Sequence, residues 1–201
     1  MKNATTDKSE RVRMFVALEL PEVVLDYIDE WGEQELVDSR LRRIPRESLH
    51  VTLAFLGNRP LEDVEKIEYG MELIAQYPIL LELEGPVGRP ERGQPRLVAL
   101  PVNSNPVTAR QAELSEFLTY EGLYKPDKRP FWPHVTVARV RTGGRGSEPS
   151  EALRIPSGPP PTAGYGWFRA VRLSLYRSQP QSSGTRYTPL AQVELPVPGW
   201  Q

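Results

Sequence analysis

The amino-acid sequence predicts an α+β fold: antiparallel sheets covered by helices, built as two lobes that face each other across one cleft. Three observations predict it. Short runs that alternate apolar and polar residues take turns with longer amphipathic runs, as strands with one helix-covered face do. The order strand, helix, strand, helix, then strand, helix, strand is a rough internal repeat. Each half also carries the same tripeptide, His50-Val51-Thr52 and His134-Val135-Thr136, and these hold the only two histidines among 201 residues.

Residues 1–10 are polar and are expected to form a disordered tail, with 11–201 as a single bilobal domain. Val12, Met14, Val16 and Leu18 alternate with Arg13, Phe15 and Ala17, which predicts a strand over 12–18. Pro21 opens a helix to about Ser39, with Val24, Leu25, Ile28, Trp31 and Leu36 as its apolar stripe. Pro45 breaks the basic loop that follows, and 48–56 forms the first histidine strand. Gly57-Asn58-Arg59-Pro60 reads as a turn, and 61–76 as a second helix with Leu61, Val64, Ile67, Met71, Leu73 and Ile74 inward.

Strands over 79–84 and 96–102 flank a Gly-, Pro- and Arg-rich connection. Pro106 starts a third helix to about Tyr120, and KPDKRPFWP leads into the second histidine strand, 134–140. The segment 141–150 is a flexible link and 149–154 a short helical piece. A Pro-rich irregular loop, 155–166, precedes two last strands, 167–176 and 186–195, around the turn SQPQSSGT.

Composition narrows the class. With 39% hydrophobic and 25% charged residues the chain can bury an ordinary globular core. No apolar run approaches the roughly 20 residues of a membrane span, and MKNATTDKSE lacks a signal-peptide hydrophobic region. A soluble, cytoplasmic monomer that does not engage membranes is the expectation. Without cysteine there is no disulfide, thiolate nucleophile or thiolate metal site. The net charge of −1 argues against bulk coating of nucleic acid, but the charges are unevenly spread. Eight acidic and no basic residues lie between Glu19 and Asp38. Arg40, Arg42, Arg43 and Arg46 precede the first tripeptide, and Lys125, Lys128, Arg129, Arg139, Arg141 and Arg145 surround the second. Such clusters suit an anionic ligand, or simply a solvated surface.

In a strand, residues i and i+2 share a face. Each tripeptide therefore presents an imidazole and a hydroxyl to one surface, while Val51, Leu53, Phe55, Val135 and Val137 fall on the core side. Ala54 and Ala138, two steps further on, would leave room above the polar face. A lone histidine in a strand is usually a satisfied structural one. Threonine is only ten of 201 residues, so its recurrence two positions after both histidines points instead to a shared site.

Two imidazoles across a cleft form a general acid–base pair, one neutral and accepting a proton, the other charged and donating. Two threonine hydroxyls can donate to non-bridging phosphate oxygens. The reaction that suits them is in-line displacement at phosphorus. With two histidines and no carboxylate placed near them by the strand pattern, no metal site and no cofactor are expected. The sequence holds no GxSxG elbow, no GxxxxGK[ST] loop and no GxGxxG fingerprint. A serine triad would leave the second tripeptide unexplained.

The segments RMFVALEL, LHVTLAFLG, PHVTVAR and LSLYRSQPQSSGTRYTPL resemble the two-histidine phosphoesterases. Within them the chain is most similar to the RNA 2′,3′-cyclic phosphodiesterases, the LigT or 2′-5′ RNA ligase-like family, over about residues 11 to 195. The resemblance implies a pseudo-twofold axis relating the two lobes. It implies hydrolysis of a terminal 2′,3′-cyclic phosphate on RNA 3′ ends to a 2′-phosphate, with a reversible 2′-5′ joining activity. On the matching positions, His50 would protonate the leaving 3′ oxygen, His134 would activate water, and Thr52 and Thr136 would hold the phosphate. Small nucleotide cyclic phosphates and 2′-5′ oligonucleotides are alternative substrates. A nucleotide- or RNA-end-binding module without turnover is the alternative outside enzymes.

Four further residues are candidates for substrate contact. Phe15 shares a strand face with Arg13 and can stack a base or pack inward. Trp132, next to Phe131, abuts His134 and either stacks a base or anchors the core. Arg139 follows the second motif as in the family's HxTxAR. By parity it falls on the wrong face, so contact needs a twist or bulge. Tyr176, like Arg172, alternates against Val171, Leu173 and Leu175, and so faces the cleft.

Overall fold

In a computed structural model, residues 10–141, 153–156, 166–181 and 184–197 are described. The expected tail, the link and much of the Pro-rich loop lie outside them. So do all but Leu153 and Arg154 of the expected helical piece, and these two are not helical. Glu10, placed in the tail by the sequence, is held: its carbonyl accepts from the Leu61 amide and its carboxylate pairs with Arg177 at 2.9 Å.

The first half consists of β1 (Arg11–Glu19), α1 (Glu22–Glu35), β2 (Leu41–Arg43), β3 (His50–Pro60) and α2 (Val64–Ile74). The second holds β4 (Leu80–Leu83), β5 (Val87–Arg89), β6 (Leu97–Asn103), α3 (Asn105–Tyr120) and β7 (His134–Val140). Three strands follow, β8 (Phe168–Arg169), β9 (Arg172–Gln181) and β10 (Gly184–Glu194). The strands run in the order β10-β9-β1-β3-β7-β6-β4-β8, with β2 on β7 and β5 on β6. Every pairing is antiparallel.

The two sheets read from the sequence meet at a seam one residue pair wide, Val51 opposite Val135. Each valine follows its half's histidine, so the pseudo-twofold axis passes between them. Carrying that antiparallel register one residue either way sets His50 beside Thr136 and Thr52 beside His134. The other face of the seam is core: Val51, Leu53, Val135 and Val137 are buried in one cluster with Ile28, Ile67, Met71 and Leu114 from the three helices. α2 and α3 meet at Gly70, where an added Cβ would lie 2.5 Å from the Phe117 ring. A side chain there would push the two helices apart.

Several boundaries differ from the sequence reading: α1 ends at Glu35 rather than near Ser39, the expected basic loop holds β2, and the expected strand 167–176 is split into β8, on β4, and β9, on β1. The expected turn at 57–60 is strand, because Gly57 adopts φ +72° at a bulge and the pairing with β1 resumes through Pro60. The hairpin β9–β10 runs into the Ser-, Pro- and Gly-rich segment expected to be a turn, as an outer pair of strands tolerates such residues. The Gly-, Pro- and Arg-rich connection holds β5, paired with β6 through Val87, Gly88 and Arg89.

Candidate active site

The two imidazoles are held by the same local device. The Nδ1–H of His50 donates to the Ser48 carbonyl at 2.8 Å, and that of His134 to the Trp132 carbonyl at 2.8 Å. A carbonyl can only accept, so each ring carries its proton on Nδ1 when neutral and leaves Nε2 free for chemistry. Thr52 Oγ1 lies 3.1 Å from His50 Nε2 and donates to it. His50, His134, Thr52 and Thr136 line one cleft of about 420 Å³, together with Arg13, Phe55 and Arg139.

Just beyond each tripeptide the strand has a bulge. On β3, Thr52 faces Ala17 and Ala54 faces Val16, so Leu53 is the extra residue. On β7, Thr136 faces Ala99 and Ala138 faces Val98, so Val137 is the extra one. One extra residue reverses the alternation that follows. Ala54 and Ala138, expected above the sheet, are therefore buried at 3% and 0% exposure. Phe55, expected in the core, is 65% exposed and faces the cleft. Arg139 moves from the wrong face to the histidine side, through the bulge its contact required. The displaced Leu53 carbonyl accepts from Gln111 Nε2 of α3 at 3.4 Å.

The two rings sit in different company. The His50 ring lies against Phe15 at 5.0 Å between centroids and meets Tyr187 edge-on at 5.4 Å. Phe15, a candidate for base stacking, is only 2% exposed; it lies on the cleft lining and packs against Phe55, Tyr176 and Tyr187 as well as the histidine. Tyr176 donates to Glu19 Oε1 at 2.7 Å; burial and that carboxylate push its phenol up. The His134 ring stacks on Trp132, with centroids 4.1 Å apart and planes at 17°, and the Arg89 guanidinium lies 4.3 Å from the Trp132 ring centre. Trp132 is half-buried: its ring packs on the histidine and also lines the concavity beside it.

Glu19 is the site residue that strand parity missed. It faces His50 directly across β1 and β3 and also accepts from Ser174, Tyr176 and Gln192. The sequence showed it only as the first residue of an acidic run. Burial pushes the pKa of His50 down to about 4; the Ser48 carbonyl bond and the Glu19 charge oppose this, and His134 adds to it. Burial also lowers His134, and the Arg89 and Arg139 charges add to the effect against the pull of the Trp132 carbonyl. Both shifts favour the neutral imidazole.

The basic loop before His50 is largely neutralised by α1. Arg46 pairs with Glu22 and Asp26 at 2.5 and 2.6 Å, and Arg43 with Glu33 and Asp29 at 3.3 and 3.8 Å. Yet β2 crosses to the other half, and Arg42 sits directly opposite Arg139 on β7.

A model of the 2′-5′ RNA ligase superfamily matches residues 21–177. The chain belongs to that superfamily. Proteins named RNA 2′,3′-cyclic phosphodiesterase from Escherichia coli and Thermus thermophilus are 31% and 28% identical over 188 and 191 residues. Those alignments cover 90% and 92% of this chain and 96% and 90% of theirs. A crystal structure from Thermus thermophilus superposes with a TM-score of 0.76 at 26% identity, over 91% of this chain and 97% of that one. Escherichia coli LigT in its apo form gives 0.72 at 26% identity, over 93% and 99%. LigT complexed with 3′-AMP gives 0.70 at 27%, over 92% and 99%. The α+β fold of the LigT-type two-histidine phosphoesterases thus extends along nearly the whole chain. Among the described residues, no helix is long and apolar enough to cross a membrane.

Proposed function

We propose that this chain hydrolyses the terminal 2′,3′-cyclic phosphate of RNA to a 2′-phosphate, with its two histidines as acid and base. The observation that carries the reading is the pair of Nδ1-anchored imidazoles in one cleft, each with a hydroxyl two residues on. The relatives named RNA 2′,3′-cyclic phosphodiesterase supply the substrate class, and LigT, of the same fold, has been crystallised in complex with the nucleotide 3′-AMP.

Bound phosphate changes the protonation. Its negative charge favours an imidazolium beside it, and Glu19 next to His50 draws the proton there, whereas Arg89 and Arg139 repel one at His134. His134 then accepts a proton from water as the oxygen attacks phosphorus, and the bond to O3′ breaks. His50 gives its proton to that oxygen, leaving a 3′-hydroxyl and a 2′-phosphate. Thr52, Thr136 and Arg139 stabilise the extra charge on the non-bridging oxygens. Phe55 offers its exposed ring to the base. A 5′-hydroxyl in place of water would form a 2′-5′ linkage by the same steps.

The test is an RNA oligomer ending in a 2′,3′-cyclic phosphate, incubated with the protein in EDTA, with the product identified. A 2′-phosphate is expected. A 3′-phosphate would reverse the leaving group, and binding without any product would leave a binding module.

A further inference from the structure

Cations near the two histidines differ in what holds them. On the His50 side, Arg43 and Arg46 are tied to carboxylates of α1 and Arg59 pairs with Asp63 at 2.6 Å, which leaves Arg13 and Arg186, on separate strands, exposed and without a carboxylate within ion-pairing distance among the described residues. On the His134 side, a concavity opens from the cleft, walled by the β5–β6 connection and the segment before β7. Arg92, Arg96 and Arg129 line it, all exposed, and none has a carboxylate within ion-pairing distance among the described residues. The one acidic side chain there, Glu91, is paired with Arg89. Pro90 and Pro130 stiffen the two walls.

We propose that this concavity is a strand track: it takes the phosphates upstream of the reacting terminus, on Arg92, Arg96 and Arg129. The inference rests on the cyclic phosphodiesterase reading and deepens it, making a polynucleotide rather than a mononucleotide the substrate. A polyanion with its end at the histidines follows the uncompensated cations outward, because each phosphate contact releases condensed counterions. Contacts to phosphates alone carry no base preference, so the track is indifferent to sequence.

The experiment compares the wild type with the triple variant Arg92→Gln, Arg96→Gln, Arg129→Gln on two substrates: a 2′,3′-cyclic mononucleotide and a single-stranded decamer ending in the same group. For the decamer, kcat/KM falls by about tenfold or more at low salt, through KM. The slope of log kcat/KM against log salt becomes shallower by about two, from three contacts at roughly 0.7 each. The mononucleotide is turned over as before. Equal losses on both substrates, or none on the decamer, overturn the track. So does the same selective loss from Arg186→Gln, on the β9–β10 side, since the strand would then leave the other way. Anisotropy of a labelled decamer with a 3′-hydroxyl separates the two readings. If the wild type turns over neither substrate yet binds this decamer and the variant does not, the track stands and the chemistry falls. Unchanged decamer affinity in the variant sinks the track.

Discussion

The two halves of the site share a backbone and differ in its dressing. Each histidine opens a strand, donates Nδ1–H to the carbonyl two residues back, and is followed by a bulge at the third residue on. At the fifth, one half turns Phe55 to the cleft and the other Arg139. His50 sits among aromatic rings beside Glu19, and His134 stacks on Trp132 beside two arginines. The repeat sets where two equal imidazoles stand. In the proposed reaction, their neighbours are what would make one a donor and the other an acceptor.

The sharpest way to break that division is to remove each histidine and change the leaving group. His50→Ala and His134→Ala should each lower kcat on the RNA cyclic phosphate by about 10²–10⁴. A 2′-phosphodiester with an aryl leaving group needs no protonation, so it should restore most of the rate to His50→Ala and little to His134→Ala. The reverse pattern would exchange the two roles, and equal rescue would dissolve the distinction.

Smaller effects should appear in the titration of the rings. With only two histidines, their imidazole resonances are readily assigned. Arg89→Gln should raise the His134 pKa, on which the Arg89 charge acts directly, and reach His50 only through the weaker coupling between the two rings. Glu19→Gln should lower His50 further. A shift in either variant that is larger at the more distant ring would mean that the neighbours named here do not set the difference.

Stability should carry the same signature. His50 is pushed down to about 4 in the folded protein, so between there and the ordinary imidazole range the unfolded chain binds more protons. Its contribution is complete above pH 7 and is lost as pH falls from about 6.5 toward 4. Chemical denaturation at several pH values should show that fall, and His50→Gln should flatten it. An unchanged slope in the variant would place the acid sensitivity elsewhere.

How much of this was legible follows from which relations are local. The shared face of His50 and Thr52, or of His134 and Thr136, needs only the two-residue period, and the sequence displays it. The exposure of Phe55 and Arg139 does not follow from that period. Leu53 and Val137, the residues that bulge, are apolar in a strand that expects an apolar residue there, so nothing marks the extra step. Arg139 could be singled out as needing a bulge because a charge on the core face is costly, whereas a phenyl ring there raised no objection. Glu19 required the register of β1 against β3, a relation over thirty residues of chain. The pairing of 177–181 with 184–188 was hidden by Ser, Pro and Gly, which mark turns by composition yet are accepted in outer strands.

The smallest predicted effect concerns where the symmetry ends. β3 continues past Phe55 through a second bulge, in which Leu56 is the extra residue and Gly57 takes φ +72° opposite Met14. β7 ends at Val140, one residue past Arg139, and has no second bulge. No atom lies within 4 Å of a Cβ placed on Gly57, so Gly57→Ala meets only the backbone cost of a left-handed residue, about 1 kcal/mol. Denaturation should show that loss with kcat unchanged, because the bulge that aims Phe55 is the earlier one at Leu53. A fall in kcat or a rise in KM beyond what the stability loss explains would tie the second bulge to the aim of Phe55. The extra length of β3 would then belong to the site, and the two halves would differ in backbone as well as in dressing.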